Sequence, residues 1–217
     1  MPQILFIDKD LDWSNFSVAG NVRAMNMAAK PPVAMIHSCD LSGLNPAEDL
    51  FLSAHGSFHS SGEFGESDDL AEALKKGGLR QNHQSIVMLT CSAAVEMPVP
   101  YRRPIAMDLK QSLKNKGYGH ITVEGGAGFV VVFPGGKQVV MPDKGTEAGG
   151  EQEKCELRYD AELSHCKLLV TKTMTDPKPD VLAKAVDEVA AKLIPFYADL
   201  LAAFKPYLKT HDAFKKF

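Results

Sequence analysis

Short apolar runs recur along the first half of the chain, each followed by a polar turn. Runs at residues 3–7, 32–37, 50–54, 86–90 and 120–124 have strand length and strand composition, and they predict five strands. Between the third and fourth, Leu70, Ala73 and Leu74 fall at i, i+3 and i+4 of a segment at 68–78. That segment is acidic at its start (Asp68, Asp69), basic at its end (Lys75, Lys76) and closed by Gly77-Gly78. The charge order complements a helix dipole, so the segment predicts a compact helix. Residues 104–116 read the same way: Pro104 opens the helix, Ile105, Leu109 and Leu113 share a face, and Gly117 ends it. Apolar strands alternating with amphipathic helices place the chain in the α/β class. The expected architecture is a central, mostly parallel sheet flanked by helices, with an antiparallel hairpin extension and a C-terminal helix.

The pattern changes in the second half. Residues 128–133 and 137–141 flank Pro134-Gly135-Gly136, a hairpin signal. A polar, glycine-bearing loop at 145–153 follows, bracketed by Lys144 and Lys154, and residues 155–159 and 166–173 predict another antiparallel pair. Residues 180–209 form an amphipathic helical pattern with Val181, Val186, Val189, Leu193, Phe196, Leu200 and Phe204 toward the core. Pro195 and Pro206 are expected to kink or interrupt it. No repeat or low-complexity tract divides the chain, and 217 residues suit one domain. Within 1–217 the reading is an α/β core at 1–133, a hairpin and loop extension at 134–175, and a C-terminal helical segment at 176–217.

Composition changes this picture little. The chain is 45% hydrophobic and 24% charged with a net charge of -3, ordinary for a globular protein. No basic stripe dominates, which argues against nucleic acid or a membrane surface as partner. Lys205, Lys209, Lys215 and Lys216 read as the solvated face of a last helix. The N-terminal apolar run is short and turns acidic at Asp8, without a basic leader or small-residue cleavage site, and no apolar run reaches membrane-spanning length. A cytoplasmic protein is expected, with export by another route left open. The four cysteines, Cys39, Cys91, Cys155 and Cys166, include no CxxC pair and read as reduced thiols, although Cys155 and Cys166 flank a hairpin turn and would suit pairing after export.

Two of the apolar runs end on reactive residues. Residues 50–54 lead into His55-Gly56, and residues 86–90 lead into Cys91-Ser92-Ala93-Ala94. Reactive groups of open α/β sheets gather beyond the carboxyl ends of the strands. Taken singly, Cys91 reads as a buried structural thiol and His55 as a turn histidine. Taken together they match a nucleophile and its base, because a cysteine acts as thiolate and needs a neighbour to take its proton. Gly56 lets its N–H approach an oxyanion closely, and the Cys91 N–H supplies a second donor. Residues 56–65, rich in glycine and serine, suit the wall of a site.

Other chemistry-bearing residues point less clearly. Asp8, Asp10 and Asp12 match the first ligand positions of an EF-hand loop, but Trp13 stands where the glycine belongs and Ala19 where the glutamate belongs. His37, Cys39, His59 and Cys91 match no standard zinc spacing. His83, His120 and His165 fall in turn or surface segments, and Trp13 is read as an anchor of the first loop.

The order hydrophobic strand, His-Gly, helix, hydrophobic strand, Cys resembles the caspase-like clan of cysteine peptidases. That clan includes caspases, gingipains, clostripain, separase, legumain and the self-processing peptidase domains of large bacterial toxins. The matching residues are Leu52-Ser53-Ala54-His55-Gly56 and Val87-Met88-Leu89-Thr90-Cys91, and the resemblance spans residues 1–133. It implies a peptidase without cofactor or metal that acts on peptide or protein substrates, with Cys91 as nucleophile, His55 as base and proton donor, and the Gly56 N–H in the oxyanion hole. The clan often has alanine or serine where this chain has Thr90. The caspase Gln-Ala-Cys-Arg-Gly is absent, so aspartate specificity does not carry over.

In such enzymes the pocket for the residue before the cut is lined just after the first strand and at the end of the fifth. Those places hold Asp8, Asp10, Asp12 and Glu124, which implies a preference for Arg or Lys. Lys144 and Lys154 would then suit the 145–153 loop to self-processing. Two other readings stay open: a catalytically inactive caspase-like scaffold that binds a partner, and a flavodoxin-like domain binding a small ligand. The latter is disfavoured by the lack of GxGxxG and GxxxxGK[ST] motifs.

Overall fold

A computed structural model describes residues 3–8, 19, 32–57, 60–95, 103–132, 138–141, 178–204 and 214–217. Strands β1 (Gln3–Phe6), β2 (Val33–Met35), β3 (Leu50–Ser53), β6 (Ser85–Leu89), β7 (Thr122–Gly126) and β10 (Phe214–Lys216) form one six-stranded sheet. Its order is β10-β7-β6-β3-β1-β2, and every neighbouring pair is parallel except β10 against β7. Two short hairpins stand apart from it: β4 (Gly56–Ser57) with β5 (Ser60–Ser61), and β8 (Phe129–Val132) with β9 (Gln138–Met141). The α/β class and the mostly parallel sheet are therefore as the sequence predicts.

Alternation along the strands builds two buried faces. Leu5 and Ile7, Leu50 and Leu52, Ile86 and Met88, and Val123 point into one cluster. This cluster is closed by helix α1 (Ser67–Lys76) through Leu70, Ala71 and Leu74, and by helix α2 (Ile105–Asn115) through Ile105, Ala106, Leu109 and Leu113. The alternate residues Ile4, Phe6, Phe51, Val87 and Leu89 are buried as well, so the second face is also covered. Helix α3 (Pro179–Phe204) packs against β2 and buries Leu182, Ala185, Val186 and Val189. Lys116 joins α1 to α2 through Asp68 at 3.0 Å and Glu72 at 3.5 Å. The buried Tyr118 hydroxyl donates to the Leu79 carbonyl at 2.7 Å.

Four local expectations need correction. Lys215 and Lys216 lie in β10, not on a helix; the strand exists because β7 offers an open edge, and the Phe217 N–H continues the pairing onto the Val123 carbonyl at 2.9 Å. Residues 56–65 hold the β4–β5 hairpin and the buried Phe64 where the sequence reads as loop. Helix α3 runs through Pro195 without a break, and its buried stripe starts at Leu182, with Val181 half-buried. His83 is buried rather than at the surface, with its Nε2 bonded to the Ser85 carbonyl at 2.8 Å. The expected antiparallel pair at 155–173, the 145–153 loop, Trp13, Pro206 and His165 lie outside the described residues. No described helix is long and apolar enough to cross a membrane.

Two outcomes follow from this packing. Leu52 is fully buried on the central strand β3, so Leu52→Ala should cost about 2–5 kcal/mol in urea unfolding. Burial lowers the His83 pKa below its ordinary value, against the opposing pull of its bond to the Ser85 carbonyl. The unfolded chain therefore takes up this proton first as pH falls. The His83 contribution is complete above about pH 6.5 and is lost as pH drops from there through the folded pKa. His83→Gln should flatten that part of the stability profile measured by denaturant titration.

Candidate active site

His55 and Cys91 leave adjacent parallel strands at the same edge of the sheet. The β3–β6 register sets Leu50 beside Ile86, Leu52 beside Met88 and Ser53 beside Leu89. His55 and Cys91 each lie two residues past the last of these pairs, at the ends of strands spaced by about 4.8 Å. Leu52 and Met88 face the α1–α2 cluster, so Ser53 and Leu89, the last paired residues of the two strands, belong to the opposite face. His55 is exposed and Cys91 half-buried.

The His55 segment is fastened to β1. Asp8, only 8% exposed at the end of that strand, accepts the His55 backbone N–H on its Oδ2 at 2.6 Å. The His55 carbonyl accepts the Gly62 N–H at 2.6 Å, and the Glu63 N–H reaches the Ile7 carbonyl at 3.4 Å. Gly62 is required there: its φ is +60°, and an added Cβ would meet the Ile7 carbonyl oxygen at 2.5 Å. In an antiparallel ladder successive residues turn their N–H groups to alternate sides. With His55 bonded to Gly62, the Gly56 N–H points away from β5. The far end of the hairpin is held from the β2 side, where the short 3₁₀ turn Ile36–Ser38 lets His37 bond the Glu63 carboxylate.

The Cys91 segment is fastened to β7 and α2. Ser92 takes a left-handed conformation (φ 58°) that turns the chain sharply after the thiol. Its N–H donates to the Gly128 carbonyl at 2.6 Å and the Ala94 N–H to Gly126 at 3.0 Å, so neither is offered to a ligand. The Ala93 carbonyl accepts the Ala106 N–H at 3.0 Å, close to the start of α2. Small residues allow this approach, since a Cβ on Gly125 would lie 3.0 Å from that of Ala93 and 3.2 Å from that of Ala106. Burial pushes the Cys91 thiol up from its ordinary pKa, while the N–H groups of Val130 and of Cys91 itself pull it down.

The two segments meet behind the thiol. The Ser61 and Thr90 hydroxyls, both on fully buried residues, lie 2.7 Å apart. Neither residue stands out in the sequence, and Thr90 is the departure from the caspase-like pattern.

The acidic residues near the site divide. Asp8 is engaged by the His55 N–H, while Asp10 and Asp12 lie outside the described residues, as does His59. Glu124 pairs with Val87, four residues short of Cys91 and about 13 Å below it along the strand, and its carboxylate meets Lys216 at 3.4 Å. His37 and Cys39 line a separate cleft of roughly 390 Å³ with Phe64, Asp69, Glu72 and Lys76. The Cys39 thiol donates to the Ile36 carbonyl at 3.2 Å, and burial raises its pKa.

No protein-family model matches the sequence, and no curated protein matches it. The site rests on its own geometry.

Removing the Asp8 carboxylate should loosen the His55 segment. Asp8→Ala should cost about 1.5–3 kcal/mol in urea unfolding, as for a lost hydrogen bond to a charged group, and Asp8→Asn, which keeps an acceptor, clearly less. Equal losses for the two variants would mean that the bond to the His55 N–H contributes nothing.

Proposed function

We propose that this protein is a cysteine endopeptidase of caspase-like build, with Cys91 as nucleophile and His55 as base. The observation that supports the reading is the β3–β6 pairing: His55 and Cys91 each lie two residues past the last paired residues, Ser53 and Leu89, of these adjacent parallel strands. The thiol gives its proton to the imidazole as its sulfur attacks the substrate carbonyl carbon. The Gly56 and Cys91 N–H groups receive the oxyanion. The imidazolium then protonates the leaving amine, and the C–N bond breaks to leave an acyl-enzyme. Water, deprotonated by His55, attacks that thioester, releasing the new carboxylate and restoring the thiol.

The raised thiol pKa bears on the first step. Burial of the sulfur works against a standing thiolate, so a base close by is what the first step depends on. A basic preference before the cut would draw on Asp8, Asp10, Asp12 and Glu124, of which Asp8 also accepts the His55 N–H and Glu124 also meets Lys216. The same desolvated thiol favours a second reading, a caspase-like scaffold that binds a protein partner without cleaving it.

An acyloxymethyl ketone probe carrying Arg before its reactive group separates the two. Labelling should map to Cys91, vanish in Cys91→Ala and slow by about 10²- to 10⁴-fold in His55→Ala. Equal labelling of wild type and Cys91→Ala would overturn the peptidase reading, and a folded but unlabelled wild type would favour the scaffold.

A further inference from the structure

We propose that the buried Ser61–Thr90 hydroxyl pair is a tether between the His55 hairpin and the Cys91 turn, which makes Ser61 and Thr90 positioning residues for the dyad. Its chemical consequence rests on the peptidase reading; its mechanical one does not.

The attachments of the hairpin run in different directions. Asp8 and the Ile7 carbonyl fasten it to β1, and His37 holds its Glu63 end from the β2 side. Those bonds fix His55 relative to β1 and β2, but Cys91 is carried by β6. The Ser61–Thr90 bond reaches β6 itself, at the residue before the nucleophile.

Burial makes the bond suitable for this task. The Thr90 hydroxyl is bonded in the interior, on a residue with no exposed surface, while Cys91, the next residue, is only half-buried. The tether can fix the spacing of the two strand ends without occupying the site. Threonine adds stiffness that serine or alanine lacks, because its branched Cβ restricts χ1. Both hydroxyls belong to residues with no exposed surface, and among the described residues each finds its partner in the other.

The test compares Thr90→Val, which keeps the shape and loses the hydroxyl, with Thr90→Ser, which keeps the hydroxyl, and closes a double-mutant cycle with Ser61→Ala. Two readouts are taken on the full chain: amide exchange at His55 and Gly62, and the pH profile of Cys91 alkylation by iodoacetamide, resolved by peptide mass. Thr90→Val should speed exchange at both amides by about tenfold, the worth of one hydrogen bond, with Thr90→Ser near wild type. The alkylation midpoint of Thr90→Val should move from that of wild type toward that of His55→Ala.

Exchange at His55 and Gly62 unchanged in Thr90→Val would overturn the tether, as would equal acceleration of amides throughout β1 and β3. Faster exchange with an unmoved alkylation profile would overturn the positioning role. Identical alkylation profiles for wild type and His55→Ala would instead sink the peptidase reading, while the exchange data still judge the tether.

Discussion

The parallel ladder between β3 and β6 is the constraint on which the carboxyl edge of this molecule depends. It is formed by residues buried on both faces and apolar but for Ser53, Leu50 to Ser53 against Ile86 to Leu89, so its register is set by the core and not by the polar residues that follow. A slip of one residue would exchange the faces of every side chain on one strand, driving Leu52 out of the α1–α2 cluster. It would also shift the segments that carry His55 and Cys91 relative to one another. Core packing and the placing of those two segments thus have the same cause.

Polar bonds then do what the core cannot. Beyond Ser53 and Leu89 the strands cease to pair, and each end is held by neighbours of a different kind. The His55 end is caught by a carboxylate, Asp8, and by a glycine, Gly62, that alone fits against the Ile7 carbonyl. The Cys91 end is caught by backbone carbonyls of Gly126 and Gly128 after a left-handed turn at Ser92. These bonds act beside the apolar contacts of Ala54, Phe64 and Ala93, and a lost partner among them leaves a sheltered group unsatisfied.

This division explains what the sequence makes legible. Strands β1, β2, β3, β6 and β7 and helices α1 and α2 are written as apolar periodicity, because burial alone dictates them. Strand β10 is not, since Phe214-Lys215-Lys216 has no strand pattern and acquires its form from the open edge of β7. The β4–β5 hairpin is equally hidden, as its serines and glycines carry no alternation and its geometry depends on bonds to β1 and β6. His83 looks like a turn residue until its bond to the Ser85 carbonyl shows how burial is tolerated. At the site, His55 and Cys91 are visible from their places after apolar runs. The assignments of Asp8 and Thr90 are not, because each depends on a partner far away in sequence, 47 positions for Asp8 and 29 for Thr90.

The state of the Cys91 thiol ties the chemistry back to packing. A thiol desolvated against β8 is a poor nucleophile at rest, yet Val130 and its own amide already offer N–H groups that favour the anion. Desolvation and hydrogen bonding therefore oppose one another at one sulfur. The balance is set by how closely the imidazole is held, since proton transfer to a base removes the cost of forming a free thiolate beside apolar groups. An exposed His55 on a loosely held loop would leave only those two N–H groups set against the desolvation. On the hairpin, the backbone that carries His55 is pinned at Asp8, Gly62 and Ser61. Whether this fold carries an enzyme or a scaffold thus turns less on the two reactive side chains than on the stiffness of the segment between Ala54 and Phe64.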